Sequence, residues 1–385
     1  MQTLASIDTG SISVLMSRLP TELDLDATAR QHRALLRSRK LKSGAALLHL
    51  ALAYAAGALS LRNTAAWAKL AGLADMSDVA VLGRLCRAGE WLRAIVAAIL
   101  AARDGETPVP GPQRRVRLID ATTVSAPGSA GADWRLHVDY DLLRQRLAAI
   151  ELTDGRGSES LGRFAIGPGD IALGDRNYAK ARDLRQVVEN GGDFLVRIGW
   201  NALRLHAADG SGPFKLFAAL ERLAPGEQAE ADVLVLPERS LQNALPVRLI
   251  MLRLPAAQAE QSRARAKRRG SKQGKRTQPQ TLLAAEYVLL VTSLEVAEFP
   301  AADLLALYRR RWQIELAFKR LKSLIGLDEL RADDPDLART WLYAKLIAAL
   351  LTEDLTRELL DSSPCAARNR AAPFLLDLAS PGYAV

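Results

Sequence analysis

The spacing of apolar residues changes near residue 112 and divides the chain into regions of different structure. Residues 24–104 are dominated by Ala, Leu and Arg with few β-branched runs, a composition typical of helices. Two short helical segments, 61–70 and one that begins at Ser77, flank a turn at Gly72. This pair predicts either a DNA-binding helix-turn-helix or, with at least equal weight, a plain helical hairpin.

A linker rich in glycine and proline at residues 105–112 precedes a segment in which strand-like and helix-like patterns alternate. One apolar run predicts a strand that ends near Asp120, and another predicts a strand that ends at Asp175. Further strands are expected at 134–142, 147–153 and 193–199, and helices at 159–165 and 179–189. This alternation indicates an α/β domain.

The next region, residues 200–285, has β-type apolar runs and contains the most basic stretch of the chain. Residues 263–276 include eight Lys or Arg, and Gly270, Gly274 and Pro279 predict that this stretch is a loop. A strand is expected at 286–292, a helix from Ala302 and an amphipathic helix at 335–360. The apolar face of the last helix fits a subunit interface or an intramolecular core contact equally well.

Composition narrows the class of protein. The chain has 385 residues, 49% of them hydrophobic, so it can bury a large core and is expected to form two or three domains. Its formal charge of +9 favours a polyanionic partner. Two cysteines and four scattered histidines lack metal-ligand spacing, which argues against a zinc site. Without a visible signal peptide or membrane span, a soluble, cytoplasmic protein with no membrane contact is expected.

One segment sets a carboxylate among cations and an aromatic ring. Tyr308 precedes Glu315 by seven residues and Lys322 follows it by seven, while Arg311 and Lys319 lie four residues to either side. In one continuous helix these five side chains would share a face. The alternative is a solvent-exposed helix with ordinary i,i+4 ion pairs, each contributing about 0.2–0.5 kcal/mol.

Two aspartates upstream favour a catalytic site over that alternative. Asp120 and Asp175 are each expected at the end of an apolar strand, and Glu315 is expected on a helix. Three carboxylates brought together repel one another unless cations offset their charge. Two Mg²⁺ or Mn²⁺ ions about 3.5–4 Å apart would do so, and oxygen ligands without histidine favour Mg²⁺ over zinc.

These residues resemble the insertion sequence 4 family of bacterial DDE transposases. The segment from Tyr308 to Lys322 matches every position of that family's signature of Tyr, two residues, Arg, three residues, Glu, six residues and Lys. The segments around Asp120 and Asp175 match its two aspartate motifs in order, and the resemblance covers about residues 24–360. It implies an α/β fold: a ribonuclease-H-like mixed sheet flanked by helices, with an N-terminal helical domain and a β-rich insertion.

The linkers and the resemblance together predict how the chain is divided. The expected parts are an N-terminal helical, candidate DNA-binding domain at 1–112; the first part of the ribonuclease-H-like catalytic core at 113–199; the β-rich insertion with the basic loop at 200–285; the second part of the core with the Glu helix at 286–330; and a C-terminal helix and tail at 331–385.

The resemblance also implies residue roles. Asp120, Asp175 and Glu315 would be the catalytic residues and the ligands of two Mg²⁺ or Mn²⁺ ions. The expected DNA contacts are Tyr308, Arg311, Lys319, Lys322, Arg176, Asn177, Tyr178 and Tyr287. Tyr287 stands where some relatives carry a tryptophan that stacks on a flipped base, and a tyrosine can also stack. Base flipping and cleavage through a DNA hairpin stay open.

Several other side chains have weaker claims. His137 is expected to be a structural strand residue, and Asp139 and Asp141 are minor candidates for extra metal ligands. Trp200 fits a core position or a stacking position equally well. The basic stretch at 263–276 is expected to follow a phosphate backbone.

The expected function is cut-and-paste DNA transposition by two-metal phosphoryl transfer, which cuts insertion-sequence ends and joins the freed 3′-OH to target DNA. The expected partners are double-stranded DNA, as terminal inverted repeats and as target, and a second copy of the chain, because two ends must be held together. Two alternatives stay open: a structure-specific nuclease on the same core, and a catalytically inactive, domesticated DNA-binding protein.

Overall fold

Serine caps set the starts of several N-terminal helices. The computed structural model describes residues 9–37, 40–104, 114–237 and 241–361. The hydroxyls of Ser43, Ser60 and Ser77 each accept a hydrogen bond from a backbone N–H in the first turn of the following helix. The helices described before residue 105 are α1 (Thr9–Met16), α2 (Leu25–Gln31), α3 (Gly44–Ala55), α4 (Leu61–Leu70), α5 (Asp78–Leu85) and α6 (Gly89–Asp104). The predicted helical region is confirmed, and DNA binding by α4 and α5 stays a prediction.

A mixed sheet follows the linker. Its strands are β1 (Arg115–Val124), β2 (Trp134–Asp141), β3 (Arg146–Asp154), β4 (Asp170–Gly174), β5 (Asp193–Arg197), β6 (Leu205–Ala207), β7 (Gln228–Val235), β8 (Leu245–Arg253) and β9 (Tyr287–Thr292). Strands β1, β2 and β3 pair antiparallel, whereas β4 pairs parallel with β1 and β5 parallel with β4. The spatial order β3-β2-β1-β4-β5 is the ribonuclease-H-like arrangement, which confirms the predicted fold class.

The β-rich insertion belongs to the same sheet as the catalytic core. Strand β9 pairs with β5 on one side and with β8 on the other, and β8 continues the sheet to β7 and β6. In the chain, α7 (Ala181–Glu189) lies between β4 and β5, α8 (Leu216–Leu220) between β6 and β7, and α10 (Pro279–Ala284) between β8 and β9. The insertion therefore extends the core sheet and does not form a separate one.

The basic stretch is helical, so the prediction of a loop at 263–276 is wrong for most of its length. Helix α9 (Ala256–Lys272) begins after Pro255 and contains Gly270 in its last turn. Ala, Arg, Lys and Gln dominate this segment, and their helix propensity outweighs one glycine, which costs about 1 kcal/mol. The helix ends before Gly274, which has φ +65°, a conformation that glycine adopts without strain.

The predicted helix from Ala302 is two helices, α11 (Ala301–Arg309) and α12 (Trp312–Ile325). Between them, the N–H groups of Arg310 and Arg311 bond to the carbonyls three residues earlier, at 3.0 and 3.1 Å. Such bonds tighten the backbone into a 3₁₀-type turn. The prediction that Tyr308 and Glu315 share one continuous helical face is therefore wrong.

The C-terminal helix α13 (Pro335–Asp361) completes the core of the N-terminal helices. Its Trp341 and Ile347 are buried in one cluster with residues of α3, α6 and the sheet. Thr340 donates a hydrogen bond to the carbonyl of Leu85 at 2.6 Å, which ties α13 to α5. Of the two predictions for this apolar face, the intramolecular contact is confirmed. No helix in the described part of the chain is long and apolar enough to span a membrane.

Candidate active site

Parallel pairing of β1 with β4 brings two aspartates together. Leu118 lies opposite Leu173, so the same register places Asp120 opposite Asp175 two residues later. Strand β1 continues to Val124, so Asp120 lies inside its strand and not near the end that the sequence predicted. Asp175 follows β4 directly, and its Oδ1 accepts a hydrogen bond from the N–H of Asn177 at 2.8 Å.

Arg311 connects this pair to Glu315. Its Nη1 lies 3.0 Å from Oδ2 of Asp120, and its Nη2 lies 2.6 Å from Oε1 of Glu315. The Asp120 side chain is 17% exposed and that of Glu315 is 61% exposed, so the contact runs from the sheet to the surface. The structure thus brings the three predicted catalytic residues to one region, with a guanidinium between two of them.

The surroundings of Asp120 disfavour its ionised form unless a cation lies nearby. Burial raises the pKa of Asp120 to about 6, although the N–H of Ala121 and the guanidinium of Arg311 act against this rise. The charges of Asp175 and Glu159 raise the pKa further. A cation beside Asp120 would favour its ionised form.

The donor set fits a hard divalent cation, although no group of three His, Cys, Asp or Glu side chains among residues 9–37, 40–104, 114–237 and 241–361 is arranged to hold one. Carboxylate oxygens are the ligands that Mg²⁺ and Mn²⁺ prefer. Arg311 lies where a cation would offset the charges of Asp120 and Glu315. An ion shared by these two carboxylates would take over the role that the guanidinium has here.

A cluster of arginines borders the aspartates on the other side. Strand β5 pairs with β4 so that Gly174 lies opposite Val196, which places Arg197 opposite Asp175. The Nε of Arg197 is buried with no hydrogen-bond partner, and burial, followed by the charge of Arg311, lowers the pKa of Arg197. Desolvation and the charges of Arg197 and Arg269 lower the pKa of Arg176 to about 10, although Arg176 keeps an open surface.

These arginines are free for a ligand. Within the described residues, Arg176, Arg197 and Arg269 form no ion pair with a carboxylate. Sequence reasoning missed Arg197, since its only signal is a cation at the end of the apolar strand β5. It also missed that Arg269, on helix α9, acts on Arg176.

The remaining predicted DNA contacts lie around the same region, on both sides of the helix break. Burial raises the pKa of Tyr308, and Arg311 and Arg197 are the charges that act on it most strongly. Asn177 is exposed, whereas Tyr178 is fully buried. A cleft of about 570 Å³ runs along α12 and is lined by Glu315, Phe318, Lys319, Lys322, Ser323, Asp328 and Glu329.

The expected stacking role of Tyr287 does not fit its position. Tyr287 is 1% exposed, and its hydroxyl donates to the carbonyl of Leu220 at 2.9 Å. The guanidinium of Arg253 lies 5.7 Å from the ring centroid. The ring packs in the core between the sheet and α8, so no face is open to a base. Trp312, which directly follows Arg311, is by contrast 50% exposed.

The weaker candidates have structural partners. The ring of His137 is buried, with Nε2 3.1 Å from the hydroxyl of Thr153. Asp139 pairs with Arg117, and Asp141 lies 2.9 Å from Arg144. The indole N–H of Trp200 donates to Thr281 at 3.2 Å. These contacts account for the four side chains without a metal or a base.

The chain was compared with known proteins. Residues 111–351 match the family model described as the transposase DDE domain. The transposase of insertion sequence element IS421 of Escherichia coli is 39% identical over 356 residues, which are 91% of this chain and 95% of the relative. The InsL protein of insertion sequence element IS186A of Escherichia coli K12 is 39% identical over 355 residues, with the same coverage.

More distant matches were also found. The transposase of insertion sequence element IS231F of Bacillus thuringiensis subsp. israelensis is 26% identical over 271 residues, which are 62% of this chain and 56% of the relative. A cryo-EM structure of the piggyBac transposase synaptic complex with hairpin DNA overlaps loosely, with TM-score 0.39, 9% identity, and coverage of 94% of this chain and 72% of that one. The family match over most of the chain and the 39% identity to insertion-sequence relatives establish that this protein belongs to the DDE-domain transposases of bacterial insertion sequences.

Proposed function

We propose that this transposase cuts the ends of its insertion sequence and joins the freed 3′-OH to target DNA, with Asp120, Asp175 and Glu315 as metal ligands. The observation that carries the proposal is the parallel register of β1 and β4, which sets Asp120 beside Asp175, together with the bridge from Asp120 through Arg311 to Glu315. A bound pair of Mg²⁺ or Mn²⁺ ions would supply Lewis-acid activation of water and of the phosphate.

Arg311 would release its two carboxylate partners and bind a DNA phosphate. In the protein without DNA it contacts two carboxylates, and a DNA phosphate offers the same guanidinium a bidentate partner. Transfer of Arg311 to a phosphate would expose Asp120 and Glu315 to cations at the moment when the substrate arrives. Arg311 thus orients DNA and neutralises charge, and it takes no proton.

The other cations would hold the DNA backbone on either side of the carboxylates. Arg176, Arg197 and Arg269 border Asp175, and Lys319 and Lys322 line the cleft along α12. Asn177 and Tyr308 add neutral hydrogen-bonding groups between these sets. Cations without carboxylate partners keep their full attraction for phosphate, which favours binding to DNA.

An exposed aromatic side chain offers a stacking surface for an unpaired base. Trp312 has the open ring that Tyr287 lacks, and it lies next to Arg311 at the start of α12. Stacking of a base on an aromatic ring contributes about 1–3 kcal/mol. We assign to Trp312 the role that the sequence had suggested for Tyr287.

Two copies of the chain would act together, because two element ends have to be held in one complex. The buried face of α13 is already covered by α3 and α6, so it is not the contact between copies. The cytoplasm, where the chromosome lies, is the expected location. The reaction would be complete when the element end bound by one copy is joined to target DNA bound by both copies.

The test is cleavage of a labelled duplex that carries the ends of the element, in Mg²⁺ and in EDTA. Wild type should nick the element end only with Mg²⁺, and Glu315→Gln should bind the duplex without cutting it. Glu329→Gln is the matched control, because Glu329 lines the same cleft but lies outside the trio.

The products distinguish the rival functions. Joined product establishes transposition, whereas cutting without joining identifies a structure-specific nuclease. Binding without cutting by wild type identifies an inactive DNA-binding descendant. Equal cutting by wild type and Glu315→Gln would remove Glu315 from the site.

A further inference from the structure

A fourth carboxylate lies beside the catalytic aspartates and has no hydrogen-bond donor of its own. The side chain of Glu159 is 18% exposed, and its closest cation is Nη1 of Arg135 at 3.7 Å, longer than a hydrogen bond. Among the described residues no group donates a hydrogen bond to this carboxylate. The carboxylate is only partly buried, so water or a hydrated ion can still bond to it.

The loop that carries Glu159 is fixed on both sides. Arg135 donates to the carbonyl of Gly157 at 2.8 Å, and Lys180 donates to the carbonyl of Glu159 itself. Gly157 lies so close to Thr153 that a Cβ would be 2.0 Å from its hydroxyl oxygen. Contacts with β2, β3 and the segment after Asp175 therefore hold Glu159 in one place.

A buried phenol points to a ligand in the same region. Tyr178 has no exposed surface, and its hydroxyl has no hydrogen-bond partner in the described part of the chain. The charges that act on this hydroxyl most strongly are those of Asp120, Glu159 and Asp175, in that order, and with burial they raise its pKa. An unpaired buried hydroxyl costs free energy until a water or a hydrated ion bonds to it, and this one belongs to the turn directly after Asp175.

We propose that Glu159 and Tyr178 form the outer part of the divalent-cation site, and that they bind the hydration shell of an ion held by Asp120 and Asp175. The outer position leaves direct ligation to Asp120 and Asp175, which the register of β1 and β4 sets side by side. Mg²⁺ usually keeps several of its waters in proteins, and these waters need acceptors such as Glu159. The inference rests on the proposed metal-dependent function of this site.

The same two residues do not suit a role in DNA binding. Glu159 is negative and would repel a phosphate, while Tyr178 is enclosed and cannot reach one. A purely structural role is a poor fit for Tyr178, because its buried hydroxyl has no partner in the described part of the chain. The predicted DNA contact of Tyr178 is therefore replaced by a contact with the hydrated ion.

The test is binding of Mn²⁺ alone to the full chain without DNA, measured from the EPR signal of free Mn²⁺. Glu159→Gln should weaken binding about tenfold or more, as outer-shell substitutions do, and Tyr178→Phe should weaken it less. Asp175→Asn should abolish binding. Glu189→Gln is the matched control, because Glu189 pairs only with Arg185 on exposed helix α7.

Cleavage and melting separate this role from the alternatives. In the end-cleavage assay, Glu159→Gln should raise the Mg²⁺ concentration for half-maximal rate about tenfold, with the rate recovering at high Mg²⁺. Tyr178→Phe should keep or raise the melting temperature without metal, because it removes an unpaired buried hydroxyl.

The inference is overturned if Glu159→Gln binds Mn²⁺ as tightly as wild type, or if wild type binds none. It is also overturned if Glu159→Gln lowers the melting temperature and slows cleavage equally at all Mg²⁺ concentrations, which would indicate a structural role. If wild type binds Mn²⁺ but cuts no DNA, the proposed transposition fails, and the Mn²⁺ measurements still decide the role of Glu159.

Discussion

Two acid–arginine clusters share strand β1, and they differ in how far solvent reaches them. In the first, Arg117 donates to Asp139 and to Asp170, both at 2.9 Å, and Asp139 is fully buried. In the second, three residues along the strand, Asp120 contacts Arg311, which also contacts the exposed Glu315. The chemistry of the groups is the same, and their surroundings are different.

The comparison shows that one strand can carry both a cluster that stabilises the fold and a cluster that is available to ligands. The Arg117 cluster is closed to solvent, and its charges hold β1, β2 and β4 together, although Oδ1 of the buried Asp139 has no partner among the described residues. The Asp120 cluster is open on the side of Glu315, and the charges of Asp175 and Glu159 act on Asp120. Charged groups that solvent reaches can bind ions and phosphates, whereas paired charges in the interior bind parts of the protein to one another.

Breaking the closed cluster should cost the most stability. Asp139→Ala should lower the free energy of unfolding by about 3–5 kcal/mol, because it removes the main partner of the buried Arg117. Urea denaturation measures this change. Asp141→Ala is a milder comparison, since Asp141 pairs with arginines that are more exposed. Equal losses of unfolding free energy in both variants would contradict the larger contribution of the Arg117 cluster to stability.

The open cluster should respond in the opposite way. Asp120→Asn should reduce end cleavage about 10³-fold or more, which corresponds to about 4 kcal/mol of transition-state stabilisation. Stability should stay within about 1 kcal/mol or rise, because a buried charge with a raised pKa is removed. Labelled-duplex cleavage and urea denaturation of one preparation test both outcomes. A large loss of stability would place Asp120 with the structural acids.

His137 on the neighbouring strand β2 should make the stability of the protein depend on pH. Burial lowers the pKa of His137 to about 4, from an ordinary value of 6.5, so the folded protein disfavours the charged ring. The unfolded chain binds this proton as pH falls below about 6.5, and stability should fall by up to about 2 kcal/mol between pH 6.5 and 4. The difference in unfolding free energy between wild type and His137→Gln, measured across this range, isolates the effect. A pH-independent difference would rule it out.

The smallest expected effect concerns the arginine that borders Asp175. Arg197→Gln should reduce the slope of log affinity against log salt for DNA binding by about one, as expected for one lost phosphate contact. Fluorescence anisotropy at several salt concentrations gives the slope. Arg185→Gln is the control, because Arg185 is paired with Glu189 on the surface. A slope that matches the control would remove Arg197 from the DNA surface.

Sequence reasoning selected Asp120, Asp175 and Glu315 as the candidate catalytic residues because they occur in motifs with a fixed order and spacing. Asp120 and Asp175 end or interrupt apolar strands, and Glu315 lies at a fixed distance from Arg311 in the chain. The ribonuclease-H-like sheet followed from the same motif. Metal binding and DNA cleavage by these residues stay a proposal, because the spacing of residues in the chain does not show which ligands they bind.

The features that sequence reasoning missed depend on tertiary contacts. Arg197 reaches the site only through the register of β5 with β4, which no local pattern encodes. Tyr287 is buried because α8 covers it, although an aromatic residue at a strand start gives no sign of this. The break between α11 and α12 lies at two arginines, a pair that normally continues a helix. Helix α9 was missed because Gly270 in its last turn and Gly274 just after it suggested a loop.

Helix α13 has a consequence for how the protein is made. It supplies part of the core that buries α3 and α6, yet it begins only at Pro335, whereas α3 ends at Ala55 and α6 at Asp104. During synthesis the apolar surfaces of the early helices therefore stay exposed to solvent until residues 335–361 leave the ribosome. Such an incompletely folded chain is prone to aggregation and is a substrate for chaperones. A translation product that stops before this helix could not finish folding its first hundred residues, so shortened chains would be degraded and would not compete for element ends.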